Sequence, residues 1–221
     1  MALLNYSNGT YVGEVRNGKE HGTGTYTWTN GDVYTGAWVD GSRTGTGTYT
    51  YSSGSVYAGD FVDGKWTGTG AYTSSNGFVY VGDFVNYVYH GTGTFTYTSG
   101  DVYTGDWVDG SRTGTGTYTY SSGSVYEGDF VDGVREGQGT FMWSDGMSYT
   151  GGWQDWTPTG TTPYREGNAV VSAEPHGDVN VNAVLSTLSG KVYSAVEFIF
   201  TVSVPSSSVS ITRSKPLAAY T

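Results

Sequence analysis

The stretch that decides the fold runs from Tyr34 to Tyr51 and reads YTGAWVDGSRTGTGTYTY. From Tyr34 to Trp38, large residues and Gly alternate with small or polar ones at period two, as a half-buried strand requires, and Gly45 to Tyr51 does the same. Between the two lies Asp40-Gly41, a two-residue hairpin signal, because a type I′ turn needs positive φ at both central positions. Counted outward from that turn, Gly36 should face Gly45 and Tyr34 should face Gly47. Aromatic residues and Gly then share one face, and Thr and Val take the other. The next connection must keep this parity, so Tyr51-Ser-Ser-Gly54-Ser-Val is expected to be an odd-length loop with Gly54 left-handed. A loop of about five residues puts Tyr49 opposite Gly59, Phe61 opposite Gly47, and Tyr51 opposite Tyr57. The glycines then read as seats for rings, since a Cβ there would stop the ring lying down on the backbone.

The same stretch recurs along the chain. Tyr-x-Gly stands at Tyr11, Tyr34, Tyr57, Tyr80, Tyr103, Tyr126 and Tyr149, a 23-residue period over seven units without insertion. Four residues on come Val15, Trp38, Phe61, Phe84, Trp107, Phe130 and Trp153, and 15 residues on come Tyr26, Tyr49, Tyr72, Phe95, Tyr118, Phe141 and Tyr164. Residues 31–64 and 100–133 differ only at Ala37/Asp106 and Ala58/Glu127, the mark of a duplicated three-unit block. The 221 residues include 36 Gly and 20 Tyr but only 14% charged residues, which excludes a helical bundle. With no Cys there is no disulfide framework or thiolate chemistry, and a net charge of −10 leaves no basic face for nucleic acid or acidic membranes. Neither a signal peptide nor a transmembrane segment is read in it.

The pattern Tyr-x-Gly-x-Trp/Phe-x-x-Gly-x-x-x-Gly-x-Gly-x-Tyr resembles the MORN (membrane occupation and recognition nexus) repeat, over residues 6 to 164. The resemblance implies an all-β fold: an elongated single-layer antiparallel sheet of successive hairpins. Such arrays occur in histone-lysine methyltransferases, junctophilins, plant phosphatidylinositol phosphate kinases and many scaffold proteins, so it implies a structural or binding role and no reaction. The frequent family turn survives only as Asn17-Gly-Lys-Glu-His21-Gly22. Elsewhere the turns are Thr-rich and acidic, which sets this chain apart from relatives with proposed membrane-tethering roles.

Two acidic columns are candidate sites: Asp60, Asp83, Asp106 and Asp129 in strands, and Asp40, Asp63, Asp109, Asp132 and Asp155 at turns. Equivalent carboxylates two strands apart sit roughly 9 to 10 Å from each other, too far to share a calcium ion, so turn formation and solubility are the expected roles. His21 and His90 occupy equivalent places and His176 lies beyond the array; none is expected to bind metal. An active site needs unlike groups converging, and a repeat supplies like groups in rows. No catalytic residue, cofactor or metal is therefore expected.

Breaks in the period are more informative. Trp66, Tyr87, Tyr89 and Trp156 are extra aromatics at or beside turns, a candidate partner surface, with drift or, for Trp156, an end cap as the alternative. After Tyr164 the repeat stops, dividing the chain into an array at 1–164 and a β-rich module at 165–221. There Val196, Phe198, Phe200, Val202 and Val204 alternate as a strand ended by Pro205, and Phe198, Phe200 and Val202 are candidate anchoring residues. The expected function is a non-catalytic scaffold in a virion, as a phage capsid or tail appendage, presenting a Thr/Tyr-rich surface. The alternatives are an intracellular MORN scaffold binding proteins or membranes, and a glycan-binding surface protein. Other protein subunits, met through the C-terminal module, are the expected partners, with a glycan as a further candidate and no nucleic acid or membrane. The expected location is a virion, otherwise the cytoplasm.

Overall fold

A computed structural model of the chain describes residues 1–160, 162–166 and 169–173. Its strands are β1 (Ala2–Tyr6), β2 (Gly9–Arg16), β3 (Lys19–Trp28), β4 (Val33–Val39), β5 (Ser42–Thr50), β6 (Val56–Val62), β7 (Lys65–Thr73), β8 (Val79–Val85) and β9 (Val88–Thr96). They continue as β10 (Val102–Val108), β11 (Ser111–Thr119), β12 (Val125–Val131), β13 (Val134–Met142), β14 (Ser148–Gln154), β15 (Thr157–Pro158), β16 (Thr162–Glu166) and β17 (Ala169–Ala173). The first fifteen form one open antiparallel sheet in chain order, and β16 pairs with β17 apart from it. That second hairpin spans the expected boundary near residue 164. The candidate anchors Phe198, Phe200 and Val202 lie outside the described residues. A strand not anticipated from the repeat, β1, pairs with β2 and sets Leu4 opposite Tyr11, where later units have an aromatic.

The hairpin turns are of the expected kind, with Asp40 at φ 50° and Gly41 at φ 94°. The expected register is corrected. Near the turn Val39 pairs with Ser42 and Ala37 with Thr44, but Gly36 then pairs with Gly47, and Tyr34 with Tyr49. Gly45 and Thr46 form a bulge on this side, while on the other side they pair with Phe61 and Asp60. The bulge adds two residues, so face parity survives although the partners change. Across the longer connection the five residues 51–55 form the loop, closed by Tyr51 N–H donating to the Ser55 carbonyl at 2.8 Å, with Gly54 at φ 92°. This places Tyr49 opposite Tyr57, Gly47 opposite Gly59 and Phe61 opposite Gly45, two residues from the pairing counted on the sequence.

The strand carboxylates hold the bulge. Asp60 accepts the Thr69 N–H at 2.8 Å, Asp83 that of Thr92 at 2.8 Å, Asp106 that of Thr115 at 3.1 Å and Asp129 that of Gln138 at 2.7 Å. Each donor sits between the two glycines of Gly-x-Gly, in the bulge itself. The residues expected to serve solubility therefore serve the backbone. Glu14 does the same for Thr23, which holds its carboxyl below the usual range. Gly45 is left-handed at φ 54°, as the bulge requires.

The core is a row of rings on one face. Each unit Tyr lies along its own strand over the Gly-Gly pair: a Cβ built on Gly36 or Gly47 would run into the Tyr34 ring or hydroxyl. The hydroxyl donates to the carbonyl three residues on, from Tyr34 to Ala37 at 3.1 Å and from Tyr57 to Asp60 at 2.9 Å, and all seven units repeat this bond. Between successive Tyr rings stands the Trp or Phe, edge-on to both: Trp38 to Tyr11 at 5.4 Å and to Tyr34 at 5.1 Å, Phe61 to Tyr34 at 4.9 Å and to Tyr57 at 5.2 Å. Such contacts contribute about 0.5 to 1.5 kcal/mol each beyond area burial. Tyr34, Tyr57, Tyr80, Tyr103 and Tyr126 end fully buried in a single-layer sheet.

Gly47→Val should destabilise the chain by about 2 to 3 kcal/mol in urea melts, since the new side chain displaces the Tyr34 ring. Thr48→Val on the opposite face should change stability by less than about 0.5 kcal/mol; equal losses would mean that the faces are misassigned. Unit two has Ala37 where the duplicated block has Asp106, so Ala37→Asp should bond the Thr46 N–H and raise stability by about 1 kcal/mol. An unchanged or lowered urea midpoint would refute that role for the column.

Candidate interaction surfaces

The two faces are finished differently. On the ring face, the ninth residue after each unit Tyr forms a column of covers: Glu20, Arg43, Trp66, Tyr89, Arg112 and Arg135. Trp66 lies flat on Tyr57 at 4.2 Å and 6°, and Tyr89 on Tyr80 at 3.9 Å and 20°. The guanidinium of Arg43 stands 5.6 Å from the Tyr34 ring, that of Arg112 5.5 Å from Tyr103 and that of Arg135 4.5 Å from Tyr126. A planar group, aromatic or cationic, thus closes five of the Tyr rings. This column escaped the sequence reading because Arg and Trp look unalike until both are seen to cover a ring. Its signal was the fixed offset from the unit Tyr.

That column reassigns two of the four aromatics singled out from the sequence. Trp66 is only 8% exposed and belongs to the core, and Tyr89 is half-buried. Tyr87 and Trp156 remain at the surface, 45% and 44% exposed, each at the second central position of a turn where other units have Gly. Both are left-handed, at φ 74° and 69°, which is strained for an aromatic residue. Tyr87 leans back on Trp66, with ring centroids 5.5 Å apart, and its hydroxyl donates to the Gly64 carbonyl at 2.9 Å. Trp156 sits beside the guanidinium groups of Arg112 at 5.5 Å and Arg135 at 5.4 Å. The structure brings together Tyr87 with Trp66, and Trp156 with two Arg, at places three units apart along the array.

The opposite face carries rows in register. One runs through Thr25, Thr35, Thr48, Ala58, Ala71, Val81, Thr94 and Thr104, neighbour paired with neighbour across successive strands. Hydroxyl pairs bond across it, Thr25 with Thr35 at 3.0 Å and Thr140 with Thr150 at 2.9 Å. A second row of about half-exposed Val, at Val39, Val62, Val85, Val108 and Val131, repeats with the period near the turns. Around Thr104, Thr117, Glu127 and Thr140 this face forms a shallow groove of about 640 Å³.

The polar groups near the turns pair locally. Arg16 donates twice to Asp40, at 2.9 and 3.1 Å, which holds that carboxyl below the usual range. Nδ1 of His21 lies 3.6 Å from Asp40, and Nδ1 of His90 lies 3.8 Å from Asp109, so each His faces the turn Asp of the following unit. Among the described residues no helix is long and apolar enough to cross a membrane.

The family model of the MORN repeat matches six consecutive units, 11–33, 34–56, 57–79, 80–102, 103–125 and 126–148. The chain belongs to the MORN repeat family. The match stops before Tyr149; the unit that begins there has the full strand β14, but β15 keeps only Thr157 and Pro158 of a second strand, and Gly160-Thr161-Thr162 stands in place of Gly-x-Gly. Six of the seven units read from the period match the family model, and the seventh is truncated. The family makes this chain a structural and interaction repeat scaffold. No curated protein matches the chain. Among solved structures it is similar to the E1021V mutant of the TCP10 domain of Danio rerio CPAP, at 15% identity and TM-score 0.28 over 81% of this chain and 96% of that one. It is similar also to the wild-type TCP10 domain of Danio rerio CPAP in complex with a peptide of Danio rerio STIL, at 17% identity and TM-score 0.28 over 72% and 81%. A third similar structure is virginiamycin B lyase from Staphylococcus aureus, at 9% identity and TM-score 0.17 over 73% and 69%.

Burial of the MORN tyrosines has a measurable consequence. Desolvation pushes the hydroxyls of Tyr34, Tyr51, Tyr89, Tyr103 and Tyr126 from 10.0 up to about 12. A folded pKa above the unfolded one means stability that is fully present below pH 10 and is lost as pH rises through 12. Tyrosinate absorbance of the native chain should therefore lag that of the urea-unfolded chain by about two pH units, with the sheet melting over that window. Coincident titrations would show that the rings are not buried.

Proposed function

We propose that this chain is a non-catalytic scaffold that binds other protein subunits along its Thr and Val face and is held in its assembly through residues 165–221. The observation that supports this reading is the asymmetry of the sheet. Ring face and backbone glycines are spent on each other, whereas the other face leaves β-branched side chains exposed in rows that repeat every 23 residues. A repeated row offers a partner the same contact many times over, so that individually weak contacts add through their number. The carboxylates that might have done chemistry are bonded to bulge N–H groups or turn partners instead.

The setting we favour is a virion, as a capsid or tail appendage of a phage. Composition supports it: a Cys-free, Gly-rich array with a near-verbatim three-unit duplication. Mass spectrometry of purified particles tests that setting. The surface is tested in the native assembly by placing a photo-reactive benzoylphenylalanine at Thr94, on the open face, or at Tyr97, on the ring side. Adducts with another subunit are expected from position 94 and not from 97; adducts from 97 alone would overturn the assignment.

A further inference from the structure

The regularity of the repeat isolates one side chain. In the covering column, Arg43 and Arg112 each spend Nη2 on a carbonyl, Gly64 at 2.7 Å and Gly133 at 2.7 Å. Both acceptors are the second residue of an Asp-Gly turn, 21 positions on. The corresponding residue for Arg135 is Trp156, in the turn Asp155-Trp156. Arg135 is 5% exposed, and its Nε and Nη2 are buried with no hydrogen-bond partner among the described residues. These two N–H groups lie on the same edge of the guanidinium and point in parallel, the fork that takes both oxygens of one carboxylate.

Around the fork stand five rings: Tyr126 at 4.5 Å, Phe141 at 5.0 Å, Tyr120 at 5.3 Å, Trp156 at 5.4 Å and Trp153 at 5.5 Å. Ring faces attract the cation but accept no bidentate hydrogen bond, so the cost of burying two donors is not met from within. Burial holds the Arg135 pKa down to about 10, which leaves it cationic at neutral pH. Arg112, whose charge reaches the same Trp156 ring, adds to the positive potential, and neither guanidinium forms an ion pair among the described residues. Trp156 is the most exposed of the five rings and so the one on the solvent side.

We propose that the Arg135 fork, roofed by Trp156, is a carboxylate-binding site that takes an Asp or Glu side chain of a partner protein chain. A carboxylate is favoured over phosphate because Arg112 has already spent Nη2 on Gly133, leaving the two parallel donors of Arg135 to be met by two oxygens, whereas phosphate would bring further unpaired oxygens into an aromatic surround. The inference rests on the scaffold reading and names the chemistry of one contact within it.

The test uses the full chain with labelled Arg side chains, the Arg135 Nε–H resonance being assigned by its loss in Arg135→Lys. It is titrated with N-acetylglutamate α-amide, with the matching glutamine amide, and with inorganic phosphate. The expected result is a saturable downfield shift with the glutamate probe, at least about tenfold weaker binding of the neutral glutamine probe, and phosphate no tighter than glutamate. Trp156→Gly gives this turn the Asp-Gly sequence of the units whose Gly64 and Gly133 carbonyls accept from Arg43 and Arg112; with the roof removed and the main-chain carbonyl at that position expected to take Nη2, the response should be abolished. The proposal is overturned by an unresponsive resonance, by equal affinity for the glutamine probe, by tighter phosphate binding, by an undiminished response in Trp156→Gly, or by a resonance already downfield before any probe is added. Each of those failures leaves the Thr94 cross-link result standing, so the two readings fail separately.

Discussion

The whole molecule depends on a ring lying flat on a glycine. A single-layer sheet has no second layer to bury a core against, and large side chains standing up from it would remain wet on their outer surfaces. Here each unit Tyr folds down over a Gly-Gly pair, so the backbone supplies the packing surface that a second layer would otherwise provide. The ring then becomes thin enough to be roofed by one more planar side chain, and it reaches zero exposure within its own sheet.

Other features follow from that seating. The Tyr hydroxyl must find an acceptor once it is buried, and it finds the carbonyl three residues on, beside the bulge. The bulge brings the two seat glycines opposite one another, and its freed N–H is met by the strand carboxylate. The roof is exchangeable between Arg, Trp and Tyr, because the requirement is a flat face that tolerates a π cloud. Where the roof is Arg, the edge of the guanidinium still needs an acceptor. The Asp-Gly turn of the next unit supplies it twice, and the truncated seventh unit does not supply it to Arg135.

Function is carried by what this construction leaves over. A ring face consumed by intramolecular contacts leaves the Thr and Val rows as the broad repeated surface, and the places where the period breaks as the singular ones. The MORN assignment makes the chain a scaffold, and the geometry leaves two kinds of feature unspent: the equivalent Thr and Val rows along the open face, and the single unpartnered guanidinium edge of Arg135 near the end of the array.

Much of this was legible in the sequence. The 23-residue period, the strand pairs, the left-handed turns and the division of faces follow from alternation and from turn chemistry, both of which act between near neighbours. Register was not, because the bulge inserts two residues on one side of a strand and none on the other, and counting outward from a turn assumes an unbroken ladder. Face assignment survived that error since the insertion was even. The roles of Trp66 and Arg135 were likewise beyond reach: the first reads as a stray surface aromatic and the second as an ordinary charge, until the register places both over a Tyr ring. What the sequence by itself determined was the set of contacts that periodicity repeats. Only the tertiary structure decided which carbonyl each buried donor meets, because a two-residue slip changes every partner while leaving every face unchanged.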